Sequence, residues 1–337
     1  MSRGATIPLT TVRLSATHIG VSKVKRDDPK RSTASESRFT LFEFEREFPD
    51  DSACLEYLVA RVYPDGIACR KCAKVTKHHK INGHPIYKCQ FCGSNVHPMA
   101  QTIFKDSATS LRLWFYAMYL MASTRCGISA KQLERELGVT YKTAWRMFNR
   151  IRSLLAQTDV TLGGTVEMDE VYMGGKAKWK NRGMPVGQVG GTRGKVPVFG
   201  MVQRGRDGRL PRLYASVVPD PGALSLMPHV EGRVLPETMV YTDEWHSYEG
   251  LGKRGYTHKR VPHAKKVYVS GDVHTNTIEG FWSLLRRGIS GAYHGVSTKH
   301  LQSYVDEYVF RYNNRDATGR GMFEAFLDRA VRPQGAS

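Results

Sequence analysis

The chain has 337 residues, 41% of them hydrophobic and 24% charged, and its 50 Lys and Arg outnumber 31 Asp and Glu for a net charge of +19. These proportions exclude a wholly disordered, collagen-like or disulfide-framework chain and leave room for about two domains of roughly 150 residues. The longest apolar run, Leu113 to Ala122, spans ten residues, short of the ~18 a membrane span needs. The basic surplus calls for a polyanionic partner, nucleic acid ahead of an acidic membrane surface.

Residues 1–38 read as a disordered basic tail, rich in Ser, Thr, Arg and Lys and poor in aromatics. An organellar transit peptide is the compositional alternative. No apolar secretory h-region is legible, so a reducing cytoplasmic setting is expected. A short helical pattern runs from Phe39 to about Tyr63, with Cys54 in its small core.

Two C-x-x-C pairs follow, Cys69/Cys72 and Cys89/Cys92, separated by 16 residues. That spacing predicts a structural zinc site. Each pair makes a tight knuckle aiming two thiolates at one ion, and two knuckles complete a tetrahedron. Gly66 and Gly93 sit where the knuckle turns need them. A redox role would require one C-x-x-C beside a βαβ pattern, which is absent.

Residues 111–155 read as helices. Leu113, Trp114, Met118 and Met121 recur at near-helical spacing. Ser129 is placed to cap a helix through Leu137, Gly138-Val139-Thr140 to turn the chain, and Thr140 to cap a basic second helix. This is a helix-turn-helix pattern, with Lys142, Thr143 and Arg146 as the expected DNA contacts. An ordinary αα-hairpin is the bland alternative.

After Gly163-Gly164 the pattern turns to strands around Val166–Val171, Val196–Gln203, Leu210–Val218 and Met239–Thr242, with a helix over Ala223–Arg233. A basic segment containing Lys259, Arg260, Lys265 and Lys266 precedes a helix opening at Asn276. A last helix spans about Thr298–Tyr312. The order predicts a mixed α/β fold. Asp169 and Asp243 stand at strand ends and Glu279 in a helix. Three converging carboxylates without thiolates or imidazoles suit two Mg²⁺ or Mn²⁺ ions and phosphodiester chemistry. Glu170 and Glu244 are adjacent alternatives by pattern. Arg286, seven residues after Glu279, falls on the same helical face and is placed to hold a phosphate. Between Gly174 and Arg212, ten Lys and Arg face one acid. Lys176 and Lys178 are expected on the DNA backbone there, with Trp179 either stacking on a base or purely structural.

Three blocks carry a resemblance to a known family. His274–Ile289 (HTNTIEGFWSLLRRGI) resembles the third catalytic block of insertion sequence 1595 family transposases. Val166–Gly175 (VEMDEVYMGG) resembles the first, and Tyr241–Tyr248 (YTDEWHSY) the second. The cysteine pairs resemble the family's zinc ribbon, and Lys299–Asn314 its tail block. The resemblance covers about residues 40–330. It implies a ribonuclease-H-like mixed sheet with flanking helices, preceded by a zinc ribbon (39–105) and a helix-turn-helix region (106–158), with the catalytic domain over 159–330. It implies Asp169, Asp243 and Glu279 as an Asp-Asp-Glu triad holding two Mg²⁺ or Mn²⁺ ions. Some family members are described with Asn as the third ligand, so Asn276, one turn before Glu279, is a possible ligand. Arg286 stands where the family often has Lys. The implied function is that of a bacterial insertion-sequence transposase in the cytoplasm at the nucleoid. It would act on double-stranded DNA at element ends and target, as at least a dimer. A DNA-binding regulator without catalysis and a nuclease on the same fold are the competing readings.

Overall fold

The computed structural model describes residues 39–157, 160–174, 195–205, 211–261 and 274–332. The segment read as one helical pattern from Phe39 forms two helices, α1 (Leu41–Glu47) and α2 (Asp51–Val62). Pro49 disfavours helix at Phe48, and the Asp50 carboxylate starts the next one by accepting from Ala53 N at 2.8 Å. Thr40 and Glu43 close a capping box on α1.

Five short strands follow. β1 (Ala68–Cys69) pairs antiparallel with β2 (Lys74–Val75), and β3 (His78–Lys80), β4 (Tyr87–Cys89) and β5 (Asn95–Val96) form an antiparallel trio. Three helices come next, α3 (Leu111–Ser123), α4 (Ala130–Leu137) and α5 (Tyr141–Ser153). The expected caps hold: Ser129 accepts from Gln132 N, Thr140 from Thr143 N, and Gly138 ends α4 in the left-handed region at φ 64°.

The second half is built on one five-stranded mixed sheet. β6 (Thr165–Met173), β7 (Val196–Gln203) and β8 (Arg212–Val217) run antiparallel in succession. After α6 (Ala223–Glu231), β9 (Met239–Thr242) returns parallel to β6, and β10 (Thr257–Arg260) lies parallel to β9. The order is β10-β9-β6-β7-β8. β10 falls in the segment read only as basic. Its Thr-His-Lys-Arg has no apolar alternation, as befits a charged edge strand.

α7 (Asn276–Gly291) crosses one face of the sheet against β6 and β7, and α8 (Leu301–Asn313) packs on β8. α8 was expected to be the last helix. Instead the chain turns at Thr318, which caps α9 (Gly319–Val331), and α9 packs on α2 and α3. One apolar cluster joins this sheet face to α1–α5 through residues such as Phe44, Trp114, Phe148, Trp282, Tyr308 and Phe323. The opposite face holds Val166, Met168, Phe199 and Met201 against Leu226 and Tyr248.

Where α5 meets α8, charge is buried. Arg152 and Glu307 are both fully shielded, Nε to Oε2 at 3.3 Å. Arg311 donates to Glu307 Oε1 from Nε at 3.1 Å and from Nη2 at 2.8 Å, and Tyr293 adds its hydroxyl. The Arg152 guanidinium lies 3.1 Å from the centre of the Tyr304 ring. One carboxylate thus compensates two guanidiniums. Removing one partner of such a group strands uncompensated charge. Glu307→Gln is expected to destabilise the protein by about 3–5 kcal/mol, read as a lower midpoint in urea unfolding.

Candidate functional site

Asp169, expected at a strand end, lies in the middle of β6, because the antiparallel ladder to β7 runs on as far as Met173, and β6 sorts its acids by pleat. Glu167 and Asp169 face α7, while Glu170 points to the other face. The parallel register pairs Thr165 with Met239 and Glu167 with Tyr241. Extended by two residues, it sets Asp243, just past β9, across from Asp169. Asp243 Oδ1 accepts from Trp245 N at 3.0 Å, which turns the chain away there.

Asp169 Oδ2 accepts from Trp282 Nε1 at 2.9 Å. Trp282 lies one turn beyond Glu279 on α7, so this bond ties the helix to the strand. Its ring rests on Gly200, the partner of Asp169 on β7; a Cβ at Gly200 would meet it at 2.5 Å. Burial pushes the Asp169 carboxyl up to about 6, and the Asp243 and Glu279 carboxylates add to the rise. Those two acids therefore share the electrostatic neighbourhood of Asp169.

Glu279 is exposed in the first turn of α7 and accepts from Thr275 Oγ1 at 2.9 Å. Asn276, Ser283 and Arg286 are exposed along the same stripe. Arg286 and Asn276 thus flank Glu279 on one solvent face. Glu170 accepts from the fully buried Tyr248 hydroxyl at 2.6 Å. Burial pushes the Glu170 carboxyl up to about 8, with Asp169 and Asp243 contributing. Glu244 is exposed.

A second set of residues, not singled out by pattern, fixes α7. Glu167 is fully buried at the helix start and accepts from Thr277 N at 2.8 Å, Ile278 N at 3.0 Å and Thr277 Oγ1 at 2.7 Å. A carboxylate at a helix N-terminus satisfies its open N–H groups and its dipole. Arg204 Nε donates to Glu167 at 2.6 Å, and Arg204 Nη2 to the His274 carbonyl at 2.7 Å. The sequence signal for this role is slight: one of three acids in the same strand, two residues before Asp169.

Among the described residues, Cys69, Cys72, Cys89 and Cys92 are the set of metal-type side chains whose ligand atoms all lie within 4.8 Å of one another. The Sγ atoms of Cys69 and Cys92 are 3.5 Å apart, and those of Cys72 and Cys89 are 3.9 Å apart. Four sulfurs ~2.3 Å from one zinc would stand about 3.8 Å apart, so the set fits a tetrahedral ion. Each knuckle closes with a left-handed residue, Ala73 at φ 55° and Gly93 at φ 68°. The Ser94 hydroxyl foremost lowers the Cys69 thiol to about 6, while contacts from the other sulfurs and burial push Cys72 up to about 12. A cation resolves that conflict by stabilising all four thiolates. Cys54 is fully buried in the apolar core, away from this cluster.

On α5, Lys142 and Arg146 are exposed and Thr143 is half-buried. Arg146 Nη2 donates to Thr109 Oγ1 at 2.7 Å, and Thr143 is occupied with the Thr140 cap. Lys176, Lys178 and Trp179, with Lys265 and Lys266, lie outside the described residues.

The transposase zinc-ribbon domain model matches residues 49–95, and the ISXO2-like transposase domain model matches residues 161–313. A protein of Halobacterium salinarum, named as an uncharacterized protein in transposable element ISH50, is 31% identical over 288 residues, covering 81% of this chain and 95% of that protein. The chain belongs to the insertion sequence 1595 transposase family. An uncharacterized transposase-like protein of Haemophilus influenzae is 29% identical over 105 residues, 31% of this chain and 84% of that protein. The two family matches enclose the four cysteines and the three acids, respectively, while α3 to α5 lie between them. No helix among the described residues is long and apolar enough to cross a membrane.

Proposed function

We propose that this chain is a DNA transposase that binds the ends of its insertion sequence and catalyses metal-dependent DNA cleavage and strand transfer. The observation that carries this reading is the Trp282–Asp169 bond. It ties the helix bearing Glu279 to the middle of β6, where Asp169 stands, with Asp243 just past the end of the neighbouring parallel strand β9. Three antiparallel strands followed by two parallel ones, in the order β10-β9-β6-β7-β8, support a ribonuclease-H-like catalytic domain over 159–330. The caps at Ser129 and Thr140 and the tight turn at Gly138 support a helix-turn-helix region within 106–158. The ribbon within 39–105 is assigned one structural Zn²⁺.

Asp169, Asp243 and Glu279 are the proposed holders of two Mg²⁺ or Mn²⁺ ions, with Asn276 one turn from Glu279 as the alternative third ligand. The ligand atoms of these three acids do not all lie within 4.8 Å of one another, so bound ions would have to draw the carboxylates together. Bound there, such ions would activate the attacking oxygen and stabilise the leaving one. The chain's own residues orient the site. Trp282 fixes the Asp169 carboxylate, Glu167 and Arg204 fix the start of α7, and Arg286 offers a guanidinium to a phosphate on the Glu279 stripe. Lys142, Thr143 and Arg146 are proposed to meet the DNA, with Arg146 exchanging Thr109 for a phosphate. Lys176 and Lys178 are assigned to the backbone of the same DNA. Two element ends call for at least two copies of the chain, working on the bacterial chromosome in the cytoplasm.

Trp282→Phe keeps an aromatic ring on α7, deletes the N–H aimed at Asp169 and withdraws the Cζ2 and Cη2 edge from Gly200. A hydrogen bond to a charged group contributes ~1.5–3 kcal/mol, so joining is expected to slow by about ten- to a hundredfold, with an unchanged circular dichroism spectrum. A variant that joins DNA at the wild-type rate removes Trp282 from the site.

A further inference from the structure

The Asp-Asp-Glu site leaves a second concavity unexplained. A cavity of about 320 Å³ opens between the starts of α4 and α5 and the loop after α7, within the ~300–1,000 Å³ range of ligand pockets. Its walls are aromatic. Tyr141 and Trp145, one turn apart on α5, are stacked with ring centres 6.4 Å apart and planes 20° apart. Trp145 meets the His300 ring edge-on at 5.9 Å, and Tyr293 meets Tyr304 at 4.6 Å.

Lys131, His294 and His300, and no acids, line the cavity itself, although Glu307 accepts from the Tyr293 hydroxyl behind it. The Lys131 ammonium stands 5.6 Å from the centre of the Tyr141 ring, held from outside the cavity by Glu134 at 2.5 Å. Such a lining disfavours a cationic guest of the kind aromatic cages take. It favours a flat π-system attached to an anion. Tyr141 keeps 47% of its surface exposed, so the platform is open to solvent. It also begins the helix that carries Lys142 and Arg146.

We propose that this cavity receives an unpaired nucleobase of the bound DNA, stacked on Tyr141 and Trp145, with the adjoining phosphate near Lys131. A base inside a duplex has both faces covered, so only one that has left the stack can enter. This inference rests on the DNA-binding reading of α4 and α5.

The test uses the full chain and three duplexes built on the DNA that flanks the coding region: fully paired, carrying one unpaired adenine, and carrying an abasic site at the same bulge. Affinities are read by fluorescence anisotropy. Aromatic stacking on a base corresponds to about 5- to 150-fold in affinity, so the wild type is expected to prefer the adenine bulge over the abasic bulge within that range. Tyr141→Ala, a surface change, should bring the ratio close to one, and Tyr141→Phe should restore it. A wild-type ratio of one with firm binding to the paired duplex overturns the pocket and spares the DNA-binding reading. So does a Tyr141→Ala ratio equal to the wild type's. Failure to bind any of the three duplexes overturns both.

Discussion

Asp243→Asn is expected to lower metal-dependent strand joining by roughly 10³-fold or more, the equivalent of losing about 4 kcal/mol of transition-state stabilisation. The argument is one of charge. Asp169 sits in a neighbourhood where burial and two further carboxylates already oppose its ionisation. A multivalent cation would offset that opposition, and each carboxylate removed takes a unit of negative charge from the site proposed to hold it. The amide preserves shape, and its Oδ1 can still accept from Trp245 N, so the β9 turn should survive. Glu279→Gln should act alike, because Glu279 is exposed and, among the described residues, bonds locally to Thr275. Titration with Mn²⁺ by calorimetry separates the cause from the consequence: both variants should show weakened metal binding while retaining affinity for duplex DNA. Full activity in Glu279→Gln with loss in Asn276→Ala would assign the third ligand to Asn276.

Removal of zinc should have the second large effect. The strands between Ala68 and Val96 are two or three residues long, too short to form a core alone. Of this segment Tyr87 joins the main apolar cluster, beside the preceding Ile67, and Val96 packs partly buried against it. Structural zinc supplies apparent binding free energies of about 10–16 kcal/mol, and in such segments that is folding energy. Chelation, or Cys72→Ser, is therefore expected to unfold the ribbon locally. Limited proteolysis should then cut between residues 68 and 96, leaving a stable fragment, and bound zinc measured by elemental analysis should fall from one ion per chain. A ribbon equally protected with and without chelator would show that zinc does not hold it.

Much of this was readable in the residues because local chemistry settles it. Ser129, Gly138 and Thr140 punctuate α4 and α5 by capping and by a left-handed turn, effects that act within four residues. The cysteine spacing works the same way, since a knuckle is a local object. The Asp at the end of β9 and the opening of α7 at Asn276 were legible for similar reasons. What escaped were features made by distant partners. β10 is a strand only because β9 offers it an edge, and its four polar residues carry no period. The apolar spacing of α9 begins only at Met322, behind Gly319 and Gly321 in its first turn. Pairing Glu167 with Thr277 spans 110 residues, and pairing Trp282 with Asp169 spans 113. Nothing in a linear pattern distinguishes a Trp that merely packs from one whose N–H aims at a carboxylate.

Those long-range contacts also explain why the third block of the sequence is built as it is. α7 presents two faces with separate tasks. Ile278, Phe281, Trp282, Leu285 and Ile289 bury one face against the sheet and α8, while Asn276, Glu279, Ser283 and Arg286 remain on the other. The helix start is fixed by Glu167 and its middle by Trp282. Glu279 is thereby held on a rigid element between two anchors, the condition for precise placement of a ligand side chain.

The most direct test of the central claim is a joining assay with purified full-length protein, DNA carrying the sequences that flank the coding region, and a supercoiled target. With Mg²⁺ or Mn²⁺, the account predicts covalently joined element–target DNA, absent with EDTA and absent in Asp243→Asn. Firm binding to those ends with neither cleavage nor joining under either metal would contradict it and identify a DNA-binding regulator instead.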